Sequence, residues 1–175
     1  NYHYLPIPFN ERLKEIKNLV KTEFSAFLCD DEFFMPSALN KCVRFLCSNN
    51  DYVSCIGHCI GFEYLDNKIL SFQKFPVIGK SSLRSANPSM RILNKARNYM
   101  PTTYYSVVRS DVFVANCELV SGEYKSPYVG EIFFELGTAL QGKSHVINEL
   151  MWFRSYENLP ISDSSFDRDL NFCHW

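Results

Sequence analysis

Residues Phe24-Ser25-Ala26-Phe27-Leu28-Cys29-Asp30-Asp31-Glu32 form a short apolar run that ends in three consecutive acids. A largely apolar run of this length is typical of a strand buried in a sheet. The acids then stand at the carboxyl end of that strand, which is where open α/β sheets bind their ligands. The sequence therefore predicts a binding site at Asp30, Asp31 and Glu32.

Helices and strands alternate on both sides of this run. Hydrophobic periodicity and turn residues predict helices over 11–20, 36–46, 89–98, 110–117 and 130–141, and strands over 24–29, 52–62, 69–75, 102–108 and 145–153. Residues 52–75 form a hairpin in this scheme, and the polar loop 79–87 is of the kind that lies over binding sites. The alternation indicates an α/β fold. No repeat or linker divides the chain, so we expect one domain over 1–175 with a polar tail from 160 to 175.

Composition narrows the class of protein. At 175 residues and 46% hydrophobic content the chain is expected to fold as one packed domain, and its net charge of −1 gives no general attraction to nucleic acid. No stretch approaches the roughly 20 apolar residues of a membrane span, and the first residues lack the layout of a signal peptide. The seven cysteines are an odd number and suit reduced thiols better than disulfides. We therefore expect a soluble, cytoplasmic protein.

Three adjacent acids need a counter-charge, because like charges a few ångströms apart raise one another's pKa. A divalent cation meets that need, and Mg²⁺ or Mn²⁺ prefers oxygen ligands and keeps coordination positions for substrate phosphates. The alternative is that Asp30, Asp31 and Glu32 only complement the dipole of the following helix.

A zinc site at Cys55, His58 and Cys59 is rejected, because strand alternation sends His58 to the face opposite the two cysteines.

The segment from Lys21 to Leu39 resembles family-2-like glycosyltransferases of the GT-A fold. It shares their succession of threonine, aromatic residue, apolar strand, acidic triplet, proline and Ala-Leu, and it is most similar to a bacterial subgroup with a three-acid, DxD-type motif. Further segments fit in the same order, namely 45–54, 104–111 and 131–143 with Arg154 beyond. The resemblance covers residues 1 to about 158. It implies a Rossmann-related, mixed central sheet flanked by helices.

The resemblance implies a site for a nucleotide-sugar donor. In such enzymes the acidic motif binds Mn²⁺ or Mg²⁺ and the donor diphosphate, and this role carries over to Asp30, Asp31 and Glu32. Because Glu32 stands where the family usually has Asp, direct contact with the metal is assigned first to Asp31. Lys143 and Arg154 are expected at the donor phosphates, since both side chains bind phosphate oxygens.

The same enzymes invert the anomeric carbon and use an acid near a helix start as general base. Counting back from Gly142 places Glu131 in that position, with Glu135 one turn later on the same helix face. A partly desolvated carboxylate can accept the proton of an acceptor hydroxyl. Tyr104, Tyr105 and Arg109 are predicted on the acceptor side, because aromatic rings stack on sugars and Arg binds hydroxyls. Core packing explains at least one of the tyrosines equally well.

The family normally begins with a nucleobase-binding unit of strand, helix and strand. Nothing corresponding to it precedes the acidic motif here, so the resemblance implies an N-terminally truncated GT-A-like domain. The expected activity is sugar transfer from a nucleotide diphosphate to a carbohydrate or lipid-linked acceptor, as in bacterial surface polysaccharide synthesis. The alternatives are an inactive GT-A-like binding or assembly module and another metal-dependent enzyme of phosphate chemistry.

Overall fold

The computed structural model describes residues 3–7, 9–29, 32–74, 77–121 and 127–155. Asp30 and Asp31 lie outside this part of the chain, as does the predicted tail 160–175. The described helices are α1 (Phe9–Leu19), α2 (Pro36–Ser48), α3 (Pro88–Arg97), α4 (Ser110–Val120) and α5 (Pro127–Gln141). The strands are β1 (Phe24–Ser25), β2 (Phe33–Phe34), β3 (Tyr52–Leu65), β4 (Lys68–Lys74), β5 (Val107–Arg109) and β6 (Lys143–Ser155).

The six strands within the described ranges belong to one mixed sheet. Its order is β1-β5-β3-β6-β2, and β4 pairs with β3 outside this path. The long strand β3 is central: β6 runs parallel to it along one side, while β5 and then β4 pair antiparallel with it on the other. The predicted α/β class, with a mixed sheet flanked by helices, is confirmed.

The helices cover both faces of the sheet. On one face α2 packs against β3 and β6 and contributes Ala38, Cys42 and Leu46 to a core that includes Trp152. On the other face the second core joins Leu13 of α1 to α4 and α5. The residues that α2 buries follow the helical spacing of an apolar stripe, whereas α3 buries Arg91 and Lys95, which apolar periodicity does not mark.

The hairpin turn between β3 and β4 is confirmed. Asp66 and Asn67 have φ values of 50° and 60°. Two consecutive residues with positive φ match the right-handed twist of the strands that they join, and Asp and Asn tolerate this conformation better than most residues.

Two predicted strands are shorter than the sequence suggests. Of 24–29 only Phe24–Ser25 is a strand, it pairs only with β5 at the sheet edge, and Leu28 and Cys29 are exposed. The chain leaves the sheet because Phe27 turns to stack on Tyr104, with ring centroids 4.8 Å apart. The prediction of a buried strand that delivers the acids is therefore wrong. Of 102–108 only the end is extended, since the backbone before it bonds to buried side chains of α3 and α5.

Gly142 allows α5 to connect closely to β6. A Cβ atom built there lies 2.3 Å and 2.9 Å from the two γ-methyl carbons of Val53, a buried and stiff side chain. We expect Gly142→Ala to lower the free energy of unfolding by about 1–3 kcal/mol, because the core must shift to admit the methyl group. Urea unfolding measures the loss.

Gly130→Ala is the matched control for this prediction. Its Cβ would lie 3.7 Å from Val120, an ordinary contact, and alanine favours a helix by roughly 0.5–1 kcal/mol over glycine. Equal losses for the two variants would contradict the close-approach explanation for Gly142.

Candidate active site

Glu32 lies beside the end of β6. Strand β2 pairs with β6 so that Phe33 faces Phe153, and this register brings Glu32 to Arg154. The Glu32 side chain is buried; Trp152 Nε1 donates a hydrogen bond to Oε2 at 2.7 Å, and Arg154 Nε lies 3.6 Å from Oε1. Both carboxylate oxygens of Glu32 therefore face nitrogen donors of β6.

Two aromatic rings support Arg154. Tyr105 and Trp152 stack with centroids 4.1 Å apart and an angle of 20° between their planes. The guanidinium carbon of Arg154 lies 5.6 Å from the Tyr105 centroid and 5.5 Å from the Trp152 centroid. Attraction between the cation and the ring faces, together with the Glu32 carboxylate, orients the guanidinium before any ligand arrives.

Glu131 of α5 is a half-buried carboxylate in contact with a tyrosine. Tyr99 Oη donates a hydrogen bond to Glu131 Oε1 at 2.5 Å. Burial raises the pKa of Glu131; the Tyr99 hydrogen bond lowers it, Glu135 raises it, and Arg154 and Lys95 lower it, with a net rise. A carboxylate with a raised pKa is a better proton acceptor near neutral pH than an exposed one.

Electrostatic effects connect Glu131 to the group at the end of β6. Arg154 is near enough to lower the pKa of Glu131. Burial raises the pKa of Tyr105, Arg154 opposes this, and Glu32 and Glu131 both add to the rise. Charges on α5, on β6 and on the segment before β2 thus all act on the Tyr105 hydroxyl. We call Glu32, Tyr105, Glu131, Trp152 and Arg154 the candidate site.

Glu135 is not accessible for catalysis. Its side chain is fully buried and forms an ion pair with Lys95, which is 2% exposed. Its oxygens also accept hydrogen bonds from Thr103 Oγ1 at 2.5 Å and from the Tyr104 N–H at 2.7 Å. The carboxylate is a structural group, and this placement corrects the catalytic role predicted for it.

Two residues predicted on the acceptor side are structural instead. Arg109 donates to the carbonyl oxygens of Tyr52 at 3.0 Å and Leu46 at 2.7 Å, and so ties the end of α2 to β3. Tyr104 packs in the core between Phe27 and Phe134. Of the predicted acceptor residues only Tyr105 belongs to the candidate site.

Lys143 and Arg154 lie at opposite ends of β6. Lys143 begins the strand and forms an ion pair with Asp51, which lowers the pKa of the Asp51 carboxyl. A strand from 143 to 154 covers roughly 30–36 Å even with its irregularities, which is too far for both side chains to bind one diphosphate. The structure therefore separates Lys143 from the donor-phosphate group that the sequence predicts.

The polar loop 79–87 lies near the start of β6. Leu83 exchanges backbone hydrogen bonds with Ser144, and Ser82 Oγ accepts one from the Val146 N–H at 3.1 Å. The loop is thus fixed at the end of the strand where Lys143 lies, opposite Arg154.

Three residues of the site region carry no strong local signal. Trp152 has only a weak signal: it precedes Arg154 by two residues, so strand alternation puts both side chains on one face of β6. Tyr99 meets Glu131 across 32 residues of sequence, and Lys95 meets Glu135 across a separation of 40. Hydrophobic periodicity does not reveal contacts between residues this far apart in the sequence.

Among the residues that the structure describes, no three His, Cys, Asp or Glu side chains form a group able to hold a metal ion. Asp30 and Asp31 are not among them. Cys55 and Cys59 lie in the core, and the His58 ring hydrogen-bonds Asn148 Oδ1 at 3.1 Å. No helix within the described ranges is both long and apolar enough to cross a bilayer.

Comparisons with known proteins assign no family to this site. No protein-family model matches the chain, and no curated protein matches its sequence. A function has to be inferred from the chemistry of the side chains and from the resemblance of the acidic segment.

Proposed function

We propose that this chain is a metal-dependent, inverting glycosyltransferase domain of GT-A-like fold. It moves a sugar from a nucleotide diphosphate to a hydroxyl of a carbohydrate or lipid-linked acceptor in the cytoplasm. One observation carries the proposal: a half-buried glutamate with a raised pKa, Glu131, shares a site with Arg154 and with Glu32, which directly follows Asp30 and Asp31. A base, a phosphate-binding cation and a candidate metal motif are the parts that this reaction needs.

In this proposal Asp31 and Asp30 bind the metal ion, and Glu32 does not. Trp152 and Arg154 contact both oxygens of Glu32, so this carboxylate is poorly suited to direct ligation. Aspartate oxygens suit Mn²⁺ or Mg²⁺, and the bound ion would neutralise charge on the donor diphosphate. Glu32 instead orients Arg154, whose guanidinium can bind phosphate oxygens.

Glu131 acts as the general base. Its carboxylate takes the proton of the acceptor hydroxyl while that oxygen forms a bond to the anomeric carbon. The bond from the anomeric carbon to the diphosphate oxygen breaks, and its electron pair leaves with the diphosphate. The Arg154 guanidinium stabilises the charge that develops there, and the buried, stacked rings of Tyr105 and Trp152 hold that guanidinium in place.

The proposal is tested by comparing nucleotide-sugar turnover in the wild type and in Asp31→Ala. The chain is incubated with Mn²⁺, an oligosaccharide acceptor and, one at a time, UDP-glucose, UDP-N-acetylglucosamine, GDP-mannose and dTDP-rhamnose, and the nucleoside diphosphate released is measured. We expect release with at least one donor, and its loss by at least 10²-fold in Asp31→Ala with the fold intact.

Asp111→Ala, which changes an exposed aspartate of α4, is the matched control and should keep full activity. Full turnover by Asp31→Ala would refute the assigned site. Cleavage of simple phosphoesters instead of nucleotide sugars would indicate a different phosphate enzyme. No thermal shift with Mn²⁺ and UDP or GDP, together with no turnover, would favour an inactive module.

A further inference from the structure

Tyr99 is the one side chain that hydrogen-bonds to Glu131 among the described residues. It follows α3 directly, and its hydroxyl lies 2.5 Å from Glu131 Oε1. Burial raises the pKa of Tyr99, and the bond to Glu131 adds to that rise. The phenol therefore stays protonated over the whole neutral range and donates a hydrogen bond to the Glu131 carboxylate.

The buried Lys95–Glu135 ion pair holds the chain next to Tyr99. Lys95 Nζ donates to the Met100 carbonyl and to Thr102 Oγ1, both at 2.8 Å. Glu135 takes hydrogen bonds from the next two residues. Residues 100–104 are thus bound at almost every position to α3 or α5. Because this segment starts immediately after Tyr99, the position of the Tyr99 ring is set by a rigid, dry network.

The hydrogen bond makes the two oxygens of Glu131 unequal. Oε1 is engaged by Tyr99, whereas no hydrogen bond reaches Oε2 from the described part of the chain. The charged and titratable groups that act on this carboxylate are Tyr99, Glu135, Arg154 and Lys95. Of these only Tyr99 touches it, so within the described ranges Tyr99 is the group that can fix its orientation.

We propose that Tyr99 is a positioning residue for Glu131: its hydroxyl holds Oε1 so that Oε2 faces the acceptor hydroxyl and takes its proton. The inference rests on the proposed function, because it gives Tyr99 a task in that reaction. The same hydrogen bond favours the ionised carboxylate and opposes burial and the charge of Glu135. A tyrosine that served only to pack against the protein would have neither effect.

Tyr99→Phe keeps the ring and removes the hydroxyl. With the donor that gives the highest turnover, kcat at neutral pH should fall about tenfold, and the KM for the donor should stay the same. The acid limb of the kcat/KM profile should move to higher pH, because Glu131 loses a donor that stabilises its charge. Tyr64→Phe, at the β3–β4 turn, removes another tyrosine hydroxyl and should leave the profile unchanged.

A second measurement does not depend on activity. The protein is labelled with ¹³C at the glutamate side-chain carboxyl carbons and titrated by NMR. The signal that is absent from the spectrum of Glu131→Gln is assigned to Glu131. The pH midpoint of that signal should rise in Tyr99→Phe. A midpoint that stays in place overturns the proposal, even if kcat falls. If Glu131→Gln turns over at the wild-type rate, the base assignment of the proposed function fails instead, and the positioning role fails with it.

Discussion

Glu131→Gln is expected to lower kcat by about 10²–10⁴-fold, the usual contribution of a general base. The amide matches the carboxylate in size and its oxygen still accepts the Tyr99 hydrogen bond, but it takes up no proton. Steady-state kinetics with the best nucleotide-sugar donor measures the effect. Glu118→Gln, which changes an exposed glutamate of α4, is the matched control and should retain wild-type kcat.

The same substitution should make the protein more stable at neutral pH. The pKa of Glu131 is higher in the folded chain than in the unfolded chain, so folding opposes its ionisation. Stability is thus lost as pH rises from the ordinary glutamate pKa through the raised one, and Gln removes that loss. The difference in Tm between variant and wild type should be positive at pH 7 and should vanish at low pH. Loss of activity together with a lower Tm at pH 7 would indicate misfolding and contradict the catalytic role.

Lys95→Met is expected to lower the free energy of unfolding by about 3–5 kcal/mol. Lys95 and Glu135 are 2% and 0% exposed, and methionine leaves the Glu135 carboxylate without its cation in a site that water does not reach. The carbonyl of Met100 and the hydroxyl of Thr102 also lose a donor. Urea unfolding followed by circular dichroism measures the loss.

Two further variants separate charge from packing. Lys95→Met combined with Glu135→Leu removes both charges of the pair, so much of the lost stability should return. Lys41→Met breaks an exposed ion pair with Glu149 and should cost far less, because water screens surface pairs. A loss in Lys95→Met no larger than that in Lys41→Met would show that the buried pair does not hold this part of the fold.

Local patterns predicted most of the elements. The helix predicted over 36–46 extends over Pro36–Ser48, and the helix predicted to end before Gly142 ends at Gln141. These predictions succeed because an apolar stripe, a proline at a helix start and a glycine after a helix end act within a few residues. The strand predicted over 24–29 was too long: it ends at Ser25, and the Phe27 ring stacks on Tyr104 of a segment distant in sequence, which local periodicity does not reveal.

Periodicity and turn residues were enough to predict the α/β class, the helices, the hairpin and a place for Glu131 near the start of α5. They could not tell Glu131 from Glu135, which lie one turn apart on the same helix. Their surroundings differ in the folded chain: Lys95 neutralises Glu135 in the interior, whereas Tyr99 hydrogen-bonds Glu131 and Arg154 lowers its pKa. Folding also brings Trp152 and Arg154 to the Glu32 carboxylate, a contact that the acidic triplet alone does not indicate. Hydrophobic periodicity indicates which face of a helix or strand is buried. Whether a buried charged side chain is neutralised depends on partners that are distant in the sequence and come near only on folding.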